Sequence, residues 1–212
     1  MRLFWTPASP FVRKVMTVVH ETGLADHVEI VPTVWPHEWA TKTVAFDPAF
    51  VAANPVGRIP ALVTESGVAI CESNLICRYL AARAGRAELI PGDGDADLPL
   101  VRLWGLADGA IEAMIATRAE SLRTGAERSA DFIRKQMDRI GRCFDGFDLD
   151  VLGDARSPTI AHLAAAIACG YMDFRFPDER WRKKRQRLVN WYERFGQRPS
   201  MAMTRPGETP QQ

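Results

Sequence analysis

The sequence contains few cysteines, and none is arranged for metal binding or for a disulfide framework. The four cysteines, Cys71, Cys77, Cys143 and Cys169, form no Cys-x-x-Cys pair. Their spacing fits neither a zinc site nor the dense cysteine pattern of small secreted domains. Three of them, all except Cys143, lie in apolar segments, where free cysteine behaves as a small hydrophobic residue. The pattern predicts buried, reduced thiols and no metal site.

The sequence also lacks a dominant charge and a long hydrophobic run. Its 27 basic and 26 acidic side chains leave a formal net charge of +1, which gives no reason to expect a nucleic acid as a partner. We interpret the basic run RWRKKRQR, at 180–187, as a solvated helix face. The longest nearly apolar stretch, IAHLAAAIACGYM, is too short to span a bilayer, and the first residues lack the pattern of a signal peptide. We expect a cytoplasmic protein without a membrane partner.

The first third of the sequence alternates between strand and helix patterns. RLFW at 2–5 is typical of a strand, and residues 10–22 carry apolar residues at helical spacing. HVEIVPT at 27–33 predicts a second strand, which would complete a βαβ unit. ALVTESGVAIC at 61–71 indicates a β-hairpin, and a helix pattern follows that ends near Gly85. The order βαβ and then ββα predicts an α/β thioredoxin-like domain with a mixed sheet.

A segment rich in glycine and proline follows this first domain. GRAELIPGDGDADLP predicts a linker at 85–96, between a first domain at 1–84 and a second at 97–212. The second domain is predicted to be all-α. Its expected helices lie at 97–122, 127–147, 159–171, 181–195 and 199–203. The stretch at 34–57, which is rich in Trp, Pro and Asn, gives no clear assignment.

Three short motifs in the predicted first domain each permit a binding role. Ser9 stands directly before a proline and would cap the first helix, near its free N–H groups. If the bond between Ile59 and Pro60 is cis, the backbone of Ile59 turns outward and can pair with an extended peptide ligand. Glu72 and Ser73 begin the next helix, whose N-terminus can hold a carboxylate while the glutamate holds an ammonium. Each motif alone also fits an ordinary helix cap or a proline before a strand.

In their order and spacing, these motifs resemble the glutathione transferase superfamily. The resemblance rests on SPF at 9–11, GRIPAL at 57–62 and ES at 72–73 followed by YL at 79–80. It extends over the whole chain through SPTIAHLAAAI and NWYERFGQRPSMAMTRP, and it is closest to bacterial members with Ser-Pro-Phe/Tyr-Val-Arg-Lys. It implies a thioredoxin-like domain followed by a helical one. It also implies glutathione as a cosubstrate, no tightly bound cofactor and a homodimer.

The resemblance implies roles for individual residues around glutathione. Pro60 would be the cis-proline, and the backbone of Ile59 would pair with the cysteinyl part. Glu72 would hold the γ-glutamyl ammonium and Ser73 the γ-glutamyl carboxylate, with Phe11 among the surrounding residues. The candidates for binding the glycine carboxylate, among which the motif does not choose, are Arg58, Lys42, His37 and Trp39.

Residue 9 decides the chemistry that the resemblance implies. A thiol with a pKa near ~8.5 is only about 3% thiolate at pH 7, and lowering that pKa by two units takes roughly 2.7 kcal/mol. One hydrogen bond from a hydroxyl to an anion contributes about 1.5–3 kcal/mol, so Ser9 is predicted to donate to the glutathione sulfur. Thr6 is a weaker candidate. The three tyrosines come too late in the sequence for that role. Disulfide exchange is disfavoured because the loop has no cysteine.

We therefore predict a glutathione transferase of the detoxification type that acts on a small hydrophobic electrophile. The electrophile pocket would be lined by Trp104, Asp108 and Ile111, although the same residues fit a helix core equally well. Two alternatives stay open. One is a glutathione-dependent isomerase, lyase or dehalogenase on the same scaffold, and the other is a non-catalytic binding protein.

One position departs from the pattern of this superfamily. The third helix of the second domain normally begins Ser/Thr-x-x-Asp, a capping box, whereas this sequence has His162 three residues after Thr159. A protonated histidine near a helix N-terminus is unfavourable. We predict a weaker cap and some acid sensitivity, and an increase in melting temperature for His162→Asp.

Overall fold

A four-stranded mixed sheet forms the first part of the computed structural model, which describes residues 1–33 and 46–207. The strands are β1 (Arg2–Trp5), β2 (Glu29–Pro32), β3 (Ala61–Val63) and β4 (Ala69–Cys71), in the order β2-β1-β3-β4. β1 runs parallel to β2 and antiparallel to β3, and β3 runs antiparallel to β4. The thioredoxin-like sheet predicted from the sequence is confirmed.

Among residues 1–33 and 46–90, three α-helices accompany this sheet: α1 (Pro10–Glu21), α2 (Pro48–Ala53) and α3 (Ser73–Arg83). α1 is amphipathic and buries Val12, Val15 and Val19 at helical spacing. α2 lies in the stretch that the sequence left unassigned. It begins because the carboxylate of Asp47 accepts the N–H of Ala49, at 2.6 Å.

Five further helices follow: α4 (Leu98–Ser121), α5 (Ala130–Asp145), α6 (Leu149–Leu152), α7 (Ile160–Arg175) and α8 (Gln186–Phe195). α4 packs against both α5 and α7. Every residue of α7 from Ile160 to Met172 is buried, and its many alanines allow neighbouring helices to approach closely. The helical second part of the fold is confirmed, with α6 as an additional short helix.

His162 completes the cap of α7 through Nδ1 and binds the α6 backbone through Nε2. Its Nδ1 lies 3.0 Å from the Thr159 N–H nitrogen, and its Nε2 lies 3.2 Å from the Val151 carbonyl. A capping box is therefore formed, with a neutral imidazole in the place of the superfamily's aspartate. Burial lowers the pKa of His162, the hydrogen bond to Val151 opposes that shift, and Arg198 adds to it.

The sequence suggested that the basic run at 180–187 forms a solvated helix face. The structure instead divides this run between two helices. Trp181–Lys184 is a short 3-10 helix that ends before α8 begins. Arg182 donates to the carboxylates of Asp173 and Glu193, and Arg185 donates to Asp145. Two of the six basic residues are therefore bound to carboxylates.

The last helix, α9 (Pro199–Met203), returns to the first part of the chain. The chain divides into two compact units: the first contains residues 1–33, 46–90 and 199–207, and the second is Pro91–Arg198. Arg13 Nη2 donates to the Met201 carbonyl at 3.2 Å, and the Gly207 N–H to the Pro7 carbonyl at 3.4 Å. As folding domains, 1–84 and 97–212 with a linker at 85–96 stay a prediction.

Candidate functional site

Ser9 is the N-cap residue of α1. Its backbone is extended, with φ −86° and ψ 124°, and its Oγ accepts the N–H of Val12 at 3.3 Å. The side chain is half-buried. Within residues 1–33 and 46–207 the hydroxyl proton is not given to any acceptor. A serine hydroxyl can accept and donate at once, so Ser9 can cap its helix and still donate to a ligand.

The bond between Ile59 and Pro60 is cis, as predicted. Pro60 is buried and Ile59 is half-buried. The loop that leads to them is held by Asn54, whose side-chain Nδ2 donates to the Arg58 carbonyl. Its turn requires the glycine at position 57, where φ is +67°. The loop backbone hydrogen bonds of residues 1–33 and 46–207 leave the N–H and C=O of Ile59 unused.

Glu72 caps α3 with its side chain, and its backbone is left-handed, with φ 89°. Its carboxylate accepts the N–H groups of Asn74 at 3.0 Å and Leu75 at 3.1 Å. A left-handed non-glycine residue costs on the order of 1–3 kcal/mol and persists where the surroundings compensate for it. These cap bonds supply that compensation. They also show that the ordinary capping role, which the sequence permitted, is present at Glu72.

Ser73 is the first residue of α3 and is buried. Its hydroxyl lies 3.2 Å from Glu72 Oε1. The Glu72 carboxylate takes the second and third N–H groups of the helix, while the first N–H, that of Ser73, takes no part in this cap. An N–H at a helix N-terminus can bind an anion. The cap therefore leaves a donor for a carboxylate at Ser73.

Lys14 is a residue that the sequence patterns did not indicate. It is fully buried, and its Nζ lies 2.6 Å from Asn74 Oδ1 on α3. The same Nζ lies 5.6 Å from the ring centroid of Phe11, a predicted glutathione-binding residue that is half-buried. One signal was available in the sequence. Lys14 stands four residues before the buried Val18, in the apolar stripe of α1.

The other predicted site residues are placed less clearly. Arg58 is exposed, and His37, Trp39 and Lys42 lie outside the described residues. On α4, Trp104 and Asp108 are half-buried. Ile111 is fully buried, which favours a core role for it over a pocket role.

Neither a metal site nor a membrane span is found in the described part of the chain. No group of three or more His, Cys, Asp and Glu side chains among residues 1–33 and 46–207 is placed to hold a metal ion. Over the same residues, no helix is both long enough and apolar enough to cross a bilayer.

Comparison with known proteins identifies relatives along almost the whole chain. The family model for the glutathione S-transferase N-terminal domain matches residues 8–83, and the model for the C-terminal domain matches residues 110–194. An uncharacterized GST-like protein of Escherichia coli strain K12, YibF, is 30% identical over 209 residues, covering 97% of this chain and 98% of its own.

Two solved structures are also similar. One is a glutathione transferase family member from Pseudomonas fluorescens Pf-5 with bound glutathione. It is 37% identical, with a TM-score of 0.88 over 98% of this chain and 99% of that one. The other is a glutathione S-transferase from Methylobacillus flagellatus KT with GSH bound. It is 28% identical, with a TM-score of 0.83 over 97% of this chain and 99% of that one.

Proposed function

Because this chain belongs to the glutathione transferase superfamily, we propose that it binds glutathione and activates its thiol for attack on a small hydrophobic electrophile. The observation that carries the proposal is the Ser9 hydroxyl. Its oxygen caps α1 through the Val12 N–H, and its proton is not used within residues 1–33 and 46–207. A ligand thiolate placed there would accept that proton in a hydrogen bond.

The hydrogen bond from Ser9 and the dipole of α1 are of the size needed to stabilise a glutathione thiolate. Lowering a thiol pKa of ~8.5 by two units takes roughly 2.7 kcal/mol. A hydrogen bond to an anion contributes about 1.5–3 kcal/mol, and the N-terminus of α1 adds about 0.3–1 kcal/mol. The two together reach the required range. The thiolate then attacks an electrophilic carbon, the leaving group departs with the electron pair of the broken bond, and the thiol proton has already gone to solvent.

The rest of glutathione would occupy the features around Ser9 in the same unit. The unused backbone groups of Ile59 suit the cysteinyl part, as in strand addition. The Ser73 N–H suits the γ-glutamyl carboxylate. The Glu72 carboxylate already accepts from Asn74, Leu75 and the Ser73 hydroxyl, and it would accept the γ-glutamyl ammonium at the lone-pair site that remains. Arg58 stays a proposed ligand of the glycine carboxylate.

Calorimetric titration of glutathione into the protein at several pH values, in buffers of different ionisation enthalpy, tests this proposal. We expect binding with release of a proton near pH 7. Ser9→Ala should bind glutathione but release less of that proton. A loss of about one pKa unit, or about 1.4 kcal/mol, is the expected size of the effect.

Ser129→Ala is the matched control. Ser129 caps α5 as Ser9 caps α1, accepting the N–H of Phe132 at 3.1 Å. Both substitutions remove a serine cap and should destabilise the fold by about 1 kcal/mol. Only Ser9→Ala should change proton release. Binding without proton release in the wild type would favour a non-catalytic binding protein. No binding at millimolar glutathione would refute the proposal.

Finer parts of the proposal concern assembly and location. The resemblance to a family of homodimers motivates the proposal of a homodimer, and light scattering after size-exclusion chromatography would test it. A cytoplasmic location and a role in detoxification belong to the same proposal. Identification of the products formed from a panel of electrophiles would separate a transferase, which leaves a glutathione conjugate, from an isomerase, lyase or dehalogenase. Initial rates compared between wild type and Ser9→Ala would test the role of Ser9.

A further inference from the structure

A lysine is fully buried beside the proposed glutathione site, and none of the roles proposed above uses it. Lys14 has no exposed surface, although lysine is almost never fully buried unless it is paired. Its Nζ lies 2.6 Å from Asn74 Oδ1. The buried ammonium therefore joins α1, which Ser9 caps, to the first turn of α3, which Glu72 caps.

The contact lies at the N-terminal end of α3. Asn74 is the second residue of that helix and directly follows Ser73. Its backbone N–H lies 3.0 Å from both carboxylate oxygens of Glu72. Side chains on a helix lean toward its N-terminus, so the stem of Lys14 runs back toward the end of α1 at which Ser9 lies. Lys14 therefore connects the N-terminal part of α1 with the first turn of α3.

The electrostatics favour a role in ligand binding over a role in stability alone. A helix N-terminus is the positive end of the helix dipole, so a buried ammonium beside the start of α3 is unfavourable unless anions balance it. The carboxylate of Glu72 caps this end of α3, and a ligand carboxylate at Ser73 would bring a second negative charge to it. Packing alone would be served by an apolar side chain, as at Val18 in the same stripe of α1.

We propose that Lys14 is a positioning residue for the γ-glutamyl end of glutathione. Through Asn74 it holds the first turn of α3, and with it the N–H of Ser73 and the carboxylate of Glu72, in the geometry that receives the γ-glutamyl group. This inference rests on the proposed function and adds a buried residue that sets the affinity for one end of the ligand. The sulfur is served by Ser9, so the two effects should be separable.

Two ligands and three variants test this role. Glutathione is compared with cysteinylglycine, which lacks the γ-glutamyl group, in wild type, Lys14→Met, Asn74→Ala and the double variant. Each single substitution should weaken glutathione binding about tenfold, or about 1.4 kcal/mol, and leave cysteinylglycine binding unchanged. The double variant should be no weaker than the weaker single variant, because both substitutions remove the same contact. Proton release per bound glutathione should be unchanged.

Two controls separate positioning from a general loss of structure. Lys14→Arg keeps a charged donor and should recover part of the affinity. Lys183→Met removes an exposed lysine of the second unit and should leave the affinity for both ligands unchanged. If Lys14→Met fails to fold, Asn74→Ala carries the test, because it removes the Oδ1 acceptor and leaves Lys14 in place.

The outcomes distinguish this inference from the proposed function. Wild type that does not bind glutathione overturns both. Wild type that binds, with single variants of unchanged affinity, overturns the role of Lys14 and leaves the proposed function in place. The same holds if both ligands are weakened equally, or if the two single losses add in the double variant.

Discussion

Protonation of His162 should destabilise the second unit as the pH falls. Nδ1 accepts the backbone N–H of Thr159 only when it carries no proton, so the proton of the neutral ring sits on Nε2 and is donated to the Val151 carbonyl. A second proton on Nδ1 would break the bond to the Thr159 N–H. The Thr159 hydroxyl oxygen, 3.0 Å from Nδ1, could accept that proton but could not satisfy the N–H. His162 as a residue is 6% exposed, so water cannot readily replace the lost bond.

The sign of the effect follows from the lowered pKa of His162, whose main cause is burial. The unfolded chain takes up a proton near about pH 6.5, and the folded chain does so only at lower pH. The unfolded state is therefore favoured as the pH falls below about 6.5, by at most about 1.4 kcal/mol per pH unit, until the folded ring also protonates. Above that pH the full stability is present.

Urea unfolding from about pH 5 to about pH 8, the range in which histidine titrates, would measure this slope. His162→Asn is the informative variant, since its amide oxygen can accept the Thr159 N–H and does not titrate. We expect it to be less stable than wild type at neutral pH and to show a shallower pH dependence. An unchanged slope in His162→Asn would show that other groups cause the acid sensitivity.

The structure reverses the expectation for His162→Asp. A carboxylate would accept the Thr159 N–H but has no proton to give the Val151 carbonyl, and it would be buried. His162→Ala removes both bonds and should cost about 3 kcal/mol, which corresponds to a fall of roughly 6–12 °C in Tm. We expect His162→Asp to fall between alanine and wild type. Stability equal to or above that of wild type would restore the interpretation made from sequence alone.

Two further predictions concern the cysteine thiols and the cap of α2. Cys71 is half-buried while Cys77, Cys143 and Cys169 are buried, and burial raises the pKa of Cys143 and Cys169. An aromatic disulfide reagent should therefore titrate one thiol in the native protein and four after denaturation; a second fast thiol would contradict this. Asp47→Ala removes the cap of α2 and should lower the free energy of unfolding by about 1 kcal/mol, measured by urea unfolding. Asp47→Asn, which keeps an acceptor, should lose less, and equal losses would argue against the capping role.

The parts of the fold that the sequence predicted correctly depend on local patterns. The strand at Arg2–Trp5 and the helix at Pro10–Glu21 follow from short-range periodicity and from the Ser-Pro cap. α2 was missed because it has only six residues, which is too short for a helical period to show. Its signal was the cap residue Asp47 followed by a proline.

The sequence predicted backbone features of the candidate site that lie within a short motif, and it did not predict contacts between residues far apart in the chain. The cis bond at Pro60 and the helix start at Ser73 lie within short motifs that the sequence displays. The contact between Lys14 and Asn74 joins residues 60 positions apart, and no periodicity encodes such a pair. A lysine in an apolar stripe is ordinarily expected to extend its charge to solvent. Only the packing of α1 on α3 shows that it does not.

These contacts explain how a loop without cysteine can serve the proposed chemistry. The hydrogen bond from Ser9 and the dipole of α1 together supply about 2–4 kcal/mol, close to the roughly 2.7 kcal/mol that a two-unit change in thiol pKa requires. The excess over the required energy is small, so the Ser9 hydroxyl must be held accurately. Its oxygen accepts the N–H of Val12 at 3.3 Å, so the cap of α1 itself fixes its position. The proposed role of Lys14 at the γ-glutamyl end then sets the affinity for glutathione, while thiolate formation in the bound complex depends on Ser9.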